Sequence, residues 1–351
     1  MYGRSILYAL LSAGLFGVST PTAKVLLGST EPTVLAGMLY CGAGLGVALI
    51  RRFARPVLFP SGAVEVALGS ADLPWLCGAI VAGGIVGPVL LMIGLTLTDA
   101  ATASLLLTLE GIATALMAWF LFRENFDRRV VLGMVCLVAG VVILSWSGQP
   151  TLSGVIGPLA IIGACVAWGL DNNLTRKLSL SDPLQIVELK GLVAGPVNVA
   201  LGLWMGGRLP DILAIGTATI VGFVGYGVSL ALFVVALRHL GAARTGAYFS
   251  TAPFFGATTA VIALGDPVTP PLIIAGILMG LGVWLHVSER HQHVHHHAPA
   301  THSHAHTHDE HHQHAHGPED PPGEPHVHAH QHTALVHSHP HAPDMHHRHR
   351  H

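Results

Sequence analysis

Residues 212–236 read ILAIGTATIVGFVGYGVSLALFVVA, a run of 25 residues without a charged side chain. An α-helix rises about 1.5 Å per residue, so about 20 apolar residues cross the hydrocarbon core of a bilayer. Nine further apolar runs occur along the chain. We therefore predict an all-α polytopic membrane protein with ten transmembrane helices, spanning residues 5–23, 32–50, 74–97, 100–122, 130–147, 154–174, 185–205, 212–236, 241–264 and 269–287.

The composition favours a membrane protein over a soluble one. Of 351 residues, 51% are apolar and 10% are charged, and the mean hydropathy is +0.57. The formal net charge of −2 gives no basic field, so we expect no nucleic-acid partner. The sequence contains no P-loop, Gly-x-Ser-x-Gly or His-Glu-x-x-His motif. We therefore predict a protein that is not an enzyme and whose partners are the lipid bilayer and a small solute.

Basic residues in the predicted loops are unevenly divided between the two sides of the membrane. Twelve lie on one side, and only Lys24 and Arg208 lie on the other. The positive-inside rule makes the twelve-residue side cytoplasmic. We therefore predict a multi-pass protein of the inner (plasma) membrane with both termini in the cytoplasm. The twelve are Arg4, Arg51, Arg52, Arg55, Arg123, Arg128, Arg129, Arg176, Lys177, Arg238, Arg244 and Arg290.

The membrane part contains an internal repeat. A shift of 142 residues aligns residues 78–145 with residues 220–287 without a gap, and a shift near 152 places Phe16-Gly17 on Trp168-Gly169. Five helices per copy is an odd number, so the second copy must enter the membrane from the opposite side. The charges agree with this inversion, because three cytoplasmic arginines of copy one are replaced in copy two: Arg123, Arg128 and Arg129 align with Gly265, Pro270 and Pro271.

This pattern predicts two five-helix repeats, residues 1–147 and 148–290, followed by a tail, residues 291–351. Inverted-topology repeats place a substrate site near the bilayer midplane, between the halves, and support alternating access. The sequence therefore indicates a secondary transporter from its topology, without help from a catalytic motif.

Several residues in this frame resemble the EamA-like family of the drug/metabolite transporter superfamily. They are the Phe16-Gly17 and Trp168-Gly169 signatures, the paired alanines that open the fourth and ninth helices (Ala100-Ala101, Ala242-Ala243), and the acids that close them (Glu124, Asp266). The resemblance covers residues 1–290 and implies a secondary carrier of metabolites, amino acids, drugs or similar solutes. One departure from the family pattern concerns a proline in the middle of the helix. The ninth helix has it as Pro253, but the aligned positions of the fourth helix are Glu110-Gly111.

The deepest acid in the sequence is Glu110, about ten residues into the fourth predicted helix. An ionisable side chain at this depth costs roughly 2.5–3.5 kcal/mol on insertion scales unless it is paired or faces water. We interpret Glu110 as a site for substrate, a cation or a proton. The alternative is a packing role, with the carboxylate bonded to Thr108, Thr114 or a neighbouring helix.

The first helix of each half becomes polar at equivalent points. The stretch Ser19-Thr20-Pro21 in one half corresponds to Asp171-Asn172-Asn173 in the other. Because Pro21 removes a backbone donor and Asn competes for backbone groups, each helix could open locally and line a cavity. The alternative for Asp171 is an interfacial position beside Arg176.

The seventh predicted helix carries Glu188 and Lys190 inside the membrane. Glu188 belongs to a stripe of small and polar residues that suits a face toward the bundle. Lys190 points elsewhere on the helix, where it could pair with Asp171 or Glu110. Interfacial anchoring of both residues is the alternative.

The tail holds 24 of the 26 histidines, many in His-x-His spacing. It has no apolar period, so we predict disorder. Imidazole is a common ligand for Ni, Co, Zn and Cu, and we predict that the tail binds such a divalent metal, with no other cofactor required. The candidate ligands are His302, His304, His306, His308, His326, His328, His330, His337, His339 and His341.

Three functions fit these observations. In the first, a secondary transporter carries a divalent cation such as Ni, Co or Zn through Glu110, Asp171 and Glu188. In the second, the pore carries a metabolite or drug, and the tail only buffers or senses metal. In the third, the protein is a membrane-anchored metal-binding protein without transport, although an anchor needs neither an inverted repeat nor intramembrane charges. The direction of transport, the coupling ion, the preferred metal and the oligomeric state stay open.

Overall fold

The computed structural model describes residues 2–54, 67–122, 128–145, 152–178, 181–288, 291–297, 300–306, 326–332 and 335–341. Within these residues, eight helical segments are long and apolar enough to cross a membrane. They are Arg4–Leu26, Pro32–Phe53, Ser70–Leu97, Ala100–Met117, Val155–Leu178, Pro183–Trp204, Ile212–Leu237 and Thr245–Leu264. Two shorter apolar helices, Val131–Leu144 and Pro270–Leu285, lie where the fifth and tenth spans are predicted.

The α-helices are numbered in chain order, and some continue into π-helical turns. The first seven are α1 (Tyr2–Leu26), α2 (Pro32–Leu49), α3 (Leu73–Ala79), α4 (Gly87–Leu97), α5 (Ala100–Leu106), α6 (Leu109–Phe122) and α7 (Arg128–Ser145). The others are α8 (Leu152–Leu178), α9 (Pro183–Trp204), α10 (Ile212–Gly222), α11 (Ser229–Phe249), α12 (Ala252–Thr259) and α13 (Pro270–Val287). π-Helical turns occupy Ile50–Ala54, Ile80–Val86, Phe223–Val228 and Ala260–Leu264.

The fourth and ninth predicted spans are each interrupted near the middle, at positions that the 142-residue shift aligns to within one residue. α5 ends at Leu106 before α6 begins, and α11 ends at Phe249 before α12 begins. Hydroxyl groups bond back to carbonyls at both interruptions: Thr108 to Leu105 at 2.8 Å and Thr251 to Tyr248 at 2.7 Å. Such bonds compete with the helical ladder. At the second interruption, Pro253 in the first turn of α12 has no N–H, so it cannot donate the backbone hydrogen bond that would continue α11 into α12.

The prediction that the first helix of each half opens is wrong. α1 runs through Pro21, and α8 runs through Asp171 to Asn173, without a break. Asn173 explains part of this, because its amide donates to the carbonyls of Gly169 and Thr114 at 2.8 and 3.0 Å. The Asn173 side chain thus bonds to a carbonyl of its own helix and to one of α6, and the backbone hydrogen bonds of α8 stay in place.

The sequence predicts a break between the eighth span, which ends at residue 236, and the ninth, which begins at residue 241. In the structure α11 continues through this stretch. The equivalent positions of the first half are Thr98 and Asp99, and Asp99 adopts the extended backbone of an N-cap. The second half has Leu240 and Gly241 there, neither of which is a strong helix N-cap like Asp, so no such side chain starts a new helix.

Helices from the two halves exchange partners. α1 packs against α11 and α12, while α8 packs against α4 and α6. Two further pairs join equivalent helices, α2 with α9 and α7 with α13. The apolar core that results holds Leu35, Leu39, Leu91, Leu106, Ile161 and Ile186, all nearly fully buried.

Close approach between α2 and α9 depends on glycine. A Cβ added to Gly191 would lie 2.7 Å from the carbonyl oxygen of Tyr40 and closer still to the backbone of Gly44. Small residues of this kind let transmembrane helices pack backbone to backbone.

We expect Gly191→Ala to lower the stability of the folded protein by about 1–3 kcal/mol through overpacking. Gly276→Ala is the matched control, because a Cβ on Gly276, within α13, would meet no atom within 4 Å. Thermal unfolding in detergent should show a lower Tm for Gly191→Ala and an equal or higher Tm for Gly276→Ala. Equal melting of both variants would contradict the close contact.

Within the tail, the described residues form two strand pairs, and the prediction of disorder for residues 291–351 as a whole stays a prediction. β1 (His291–His297) pairs antiparallel with β4 (Leu335–His341), and β2 (Ala300–His306) pairs antiparallel with β3 (His326–His332). The His-x-His spacing has a period of two, which is the period of a strand. Composition excludes a hydrophobic core in this segment, but it does not exclude backbone pairing in two-stranded ribbons.

Candidate functional site

A cavity lies among helices of both halves, with about 610 Å³ of empty space when its opening to solvent is included. Its walls come from α1, α2, α6, α8, α9 and α11 and from the π-helical turn Phe223–Val228. Its polar residues come from both halves, which is the arrangement expected of a transport site between inverted repeats. The polar lining consists of Glu110, Asp171, Asn172, Lys190, Ser229 and the phenols of Tyr40 and Tyr226.

Glu110 lies in the first turn of α6, directly after the interruption of the fourth span. The amide of Asn172 donates to its carboxylate at 2.9 Å and also reaches the hydroxyl of Thr114 at 3.2 Å. No Lys, Arg or His among the residues with described side chains forms an ion pair with Glu110. The carboxylate therefore faces the cavity with an amide partner and no described counter-ion.

Asp171 and Lys190 form an ion pair inside the bundle. The Lys190 ammonium donates to both carboxylate oxygens at 2.6 Å, and the two side chains are only 9% and 2% exposed. The hydroxyl of Thr175 donates to Asp171 at 2.9 Å. These bonds satisfy the buried charges, which burial would otherwise penalise. The two charges cancel locally.

The π-helical turn Ile80–Val86 supplies backbone acceptors beside this pair. The carbonyl of Gly83 accepts from the Tyr40 hydroxyl at 2.5 Å and from Trp168 Nε1 at 3.0 Å. The carbonyl of Gly84 accepts from the Asn198 amide at 2.9 Å. A Cβ on Gly83 would collide with the Asp171 carboxylate, so glycine is required for this approach.

Six aromatic rings line the cavity. Phe16 lies among three of them, with ring centroids 5.8 Å from Trp168, 5.6 Å from Tyr226 and 5.4 Å from Phe249. Tyr40 lies 5.6 Å from Tyr226, and Phe233 lies 4.9 Å from Phe249. The rings form one connected wall, and the tilted and edge-to-face angles are those that aromatic pairs prefer.

The Tyr226 hydroxyl is buried and has no hydrogen-bond partner within the described part of the chain. Buried hydroxyls are normally satisfied, so this group is available to a bound molecule. Tyr226 is itself only 6% exposed. The cavity thus offers a carboxylate, a phenol and an aromatic wall.

The structure brings together some of the predicted site residues and separates others. Glu110, Asp171, Asn172 and Lys190 all line the cavity. Asp171 pairs with Lys190 within the bundle, and the alternative of an interfacial position beside Arg176 stays untested. The expectation that Lys190 pairs with an intramembrane acid is confirmed by this contact.

Glu188 does not line the cavity. It accepts from Arg51 at 2.7 Å, and Arg51 also reaches Asp182 at 3.3 Å. These contacts join the end of α2 to the start of α9. Sequence analysis did not pair them because Arg51 precedes both acids by more than 130 residues.

Thr20 and Pro21 are also absent from the cavity wall. Thr20 is fully buried, and its hydroxyl has no partner in the described chain. The preceding residue, Ser19, lies against Gly225, as Asp171 lies against Gly83. Ser19 is the residue that the 152-residue shift aligns with Asp171, so the two aligned side chains lie against aligned glycines.

Sequence analysis did not assign Tyr40, Tyr226, Phe233 or Phe249 to the site. Tyr226 and Phe233 share one helix face at i and i+7, but Tyr40 and Phe249 come from other parts of the sequence, so no local pattern joins all four.

Among residues with described side chains, no three His, Cys, Asp or Glu residues are close enough to hold a metal ion. Most of the predicted histidine ligands lie on the tail strands, where only the backbone is described, and His308 lies outside the described residues. The prediction of metal binding by the tail therefore stays a prediction.

Similarity to known proteins agrees with a membrane transporter. The chain is 29% identical over 287 residues to an uncharacterized transporter of Methanothermobacter thermautotrophicus, covering 77% of this chain and 82% of that protein. It is 24% identical over 292 residues to the uncharacterized transporter YyaM of Bacillus subtilis, covering 80% and 92%. A crystal structure with 18% identity superposes with a TM-score of 0.63, covering 81% of this chain and 98% of that one, which shows a shared fold.

The family comparison covers nearly all of the membrane part. The model of the EamA-like transporter family matches twice, at residues 3–146 and 155–288. These matches agree with the resemblance seen in the sequence, and the chain belongs to the EamA-like transporter family.

Proposed function

We propose that this protein is a secondary transporter that moves a small organic solute through the cavity between its halves. One observation carries the proposal: aromatic rings line the cavity together with one carboxylate, Glu110, that has no described counter-ion. Apolar pockets with a few placed polar groups are typical of organic ligands. The polar groups orient the solute, and the rings bury its apolar part.

Alternating access between two inverted five-helix repeats is the proposed mechanism. Two family matches of similar length support it, as do the exchanged contacts of α1 and α8. The interruptions before α6 and α12 support it as well, because discontinuous helices commonly form transport sites at the midplane. In this mechanism, rocking of the halves exposes the cavity to each side in turn.

The divalent-cation version of the pore has less support. It requires Glu110, Asp171 and Glu188 to act together, whereas Asp171 is bonded to Lys190 and Glu188 to Arg51. A dehydrated divalent ion needs several oxygen, nitrogen or sulfur ligands at once. One amide-bonded carboxylate beside aromatic rings does not provide them.

Flux through reconstituted vesicles tests the proposal. Proteoliposomes would be loaded with a mixture of amino acids and amines, and in parallel with dyes that respond to Ni, Co and Zn. We expect mass spectrometry to detect release of at least one organic solute, and we expect no metal signal above empty liposomes. Metal flux without organic flux would contradict the proposal and favour the metal pore.

We also propose that both termini face the cytoplasm, on the basis of the twelve-to-two division of loop Lys and Arg. We expect a reporter fused after Arg290 to report the cytoplasm and one inserted at Gly148 to report the opposite side. A non-cytoplasmic signal at Arg290 would contradict the ten-helix topology.

The tail is proposed to bind divalent metal and to buffer or sense it at the cytoplasmic face. Protonated imidazole cannot ligate metal, and unperturbed histidine has a pKa of about 6.5. We therefore expect the full-length protein to bind several Ni or Zn ions at pH 7.5 and to release them below about pH 6. Calorimetry on the full-length protein and on a variant truncated after Arg290 measures how many of the bound ions the tail holds. Equal binding by both proteins would contradict this role.

A further inference from the structure

We propose that the solute is a monovalent organic cation with an apolar, preferably flat, body. This inference rests on the proposed function, since it assigns a substrate class to the same cavity. It follows from the charge balance of the cavity wall and from the arrangement of its rings.

Among the side chains that the structure describes, one carboxylate of the wall forms no ion pair. Lys190 is bonded to both oxygens of Asp171, so these two cancel. Glu110 has only the amide of Asn172. An ionised carboxylate in the membrane interior is costly unless it is paired or faces water. A substrate with one positive charge supplies that counter-ion, and an anion would add to the imbalance.

The aromatic wall favours the same charge. A cation within about 6 Å of a ring centroid is attracted by the negative face of the ring. Phe16 and its neighbours surround the cavity with connected rings, while the pocket offers little other polar surface. The apolar body of the solute would pack against these rings, and its charged group would face Glu110. An ammonium N–H could also donate to the unpartnered Tyr226 hydroxyl.

Other classes of solute fit these groups less well. A zwitterion needs a donor for its carboxylate, and Lys190, the one ammonium among the described residues of the cavity wall, already serves Asp171. A neutral aromatic compound could occupy the rings but would leave Glu110 unpaired. The observations therefore favour a cation over a zwitterion, an anion or a neutral compound.

Four probes of similar size and different charge test the inference. They are 2-phenylethylamine, phenylalanine, 3-phenylpropionate and 3-phenylpropionamide, a cation, a zwitterion, an anion and a neutral compound at pH 7. Binding to purified full-length protein in detergent would be measured by calorimetry. We expect the cation to bind at least about tenfold more tightly than the amide, as an unscreened ion pair with ring contacts implies.

Two variants assign this preference to the cavity. Glu110→Gln should reduce the cation-to-amide ratio to near one, and Phe16→Leu should reduce it severalfold. Asp211→Asn is the control, because this exposed residue caps α10 through the N–H of Ala214 and Asn can cap as well. It should keep the wild-type ratio.

Tighter binding of phenylalanine, phenylpropionate or the amide would overturn the inference, and so would binding of none of the four. Retention of the cation preference in Glu110→Gln would overturn it too. Vesicle flux separates this failure from failure of the proposed function. Glu110-dependent movement of phenylalanine, for example, would refute the cation and leave organic transport standing.

Discussion

Glu110→Gln should abolish transport and leave expression and membrane insertion intact. Glutamine has nearly the same size as glutamate, and its oxygen can still accept from Asn172, which lies 2.9 Å from the carboxylate. The helix start at α6 should therefore survive. What is lost is the charge that binds the solute or a coupling proton. A charge-assisted bond is worth about 1.5–3 kcal/mol, so flux should fall at least about tenfold.

The measurement is vesicle flux normalised to the amount of reconstituted protein. Asp211→Asn changes a carboxylate to an amide outside the cavity and should transport like wild type. An unstable or poorly inserted Glu110→Gln protein would indicate a packing role for the carboxylate. Unchanged flux would show that Glu110 is a spectator.

Breaking the buried ion pair should destabilise the protein strongly. Lys190→Met leaves Asp171 charged and unpaired among residues that exclude water, since its side chain is only 9% exposed. Asp171→Asn leaves Lys190 in the same condition. Loss of one partner of a buried pair costs about 3–5 kcal/mol. Both single variants should therefore melt well below wild type in detergent, or fail to accumulate.

The double variant Asp171→Asn/Lys190→Met separates charge from packing. With both charges removed, no ion is left unpaired, and apolar replacement of a buried pair is often nearly neutral. We expect its Tm to lie above that of either single variant. A double variant that melts at the sum of the two single losses would show that the pair contributes by packing alone.

Hydropathy and loop charge were sufficient to predict most of the helices, because the bilayer imposes length and apolarity on each span. The middle of the spans was harder to predict. Pro21 was expected to open α1, but the helix continues through it. The interruption after Leu106 was missed, since the hydroxyl of Thr108 bonds to a carbonyl three residues earlier only in the folded geometry.

The site was predicted in part, for a physical reason. Charged residues inside apolar helices are rare and costly, so Glu110, Asp171 and Lys190 were conspicuous in the sequence. Glu188 was equally conspicuous, yet Arg51 removes it from the cavity, and that pairing depends on how α2 packs against α9. Aromatic residues are ordinary in membrane helices, so Tyr226 and Phe249 gave no signal until the fold brought them together.

The most direct test of transport through this cavity is access to one of its residues from both sides of the membrane. Leu230, which lines the cavity, would be replaced by cysteine in a protein whose four native cysteines are changed to alanine, namely Cys41, Cys77, Cys136 and Cys165. Ile212→Cys, at an 83% exposed position outside the cavity, serves as the one-sided control.

Membrane-impermeant methanethiosulfonate reagents would be applied to right-side-out and inside-out vesicles. If the two halves alternate around the cavity, Leu230→Cys should be labelled from both sides, and Ile212→Cys from one side only. Labelling of Leu230→Cys from a single side, in vesicles that are otherwise intact, would contradict alternating access through this cavity.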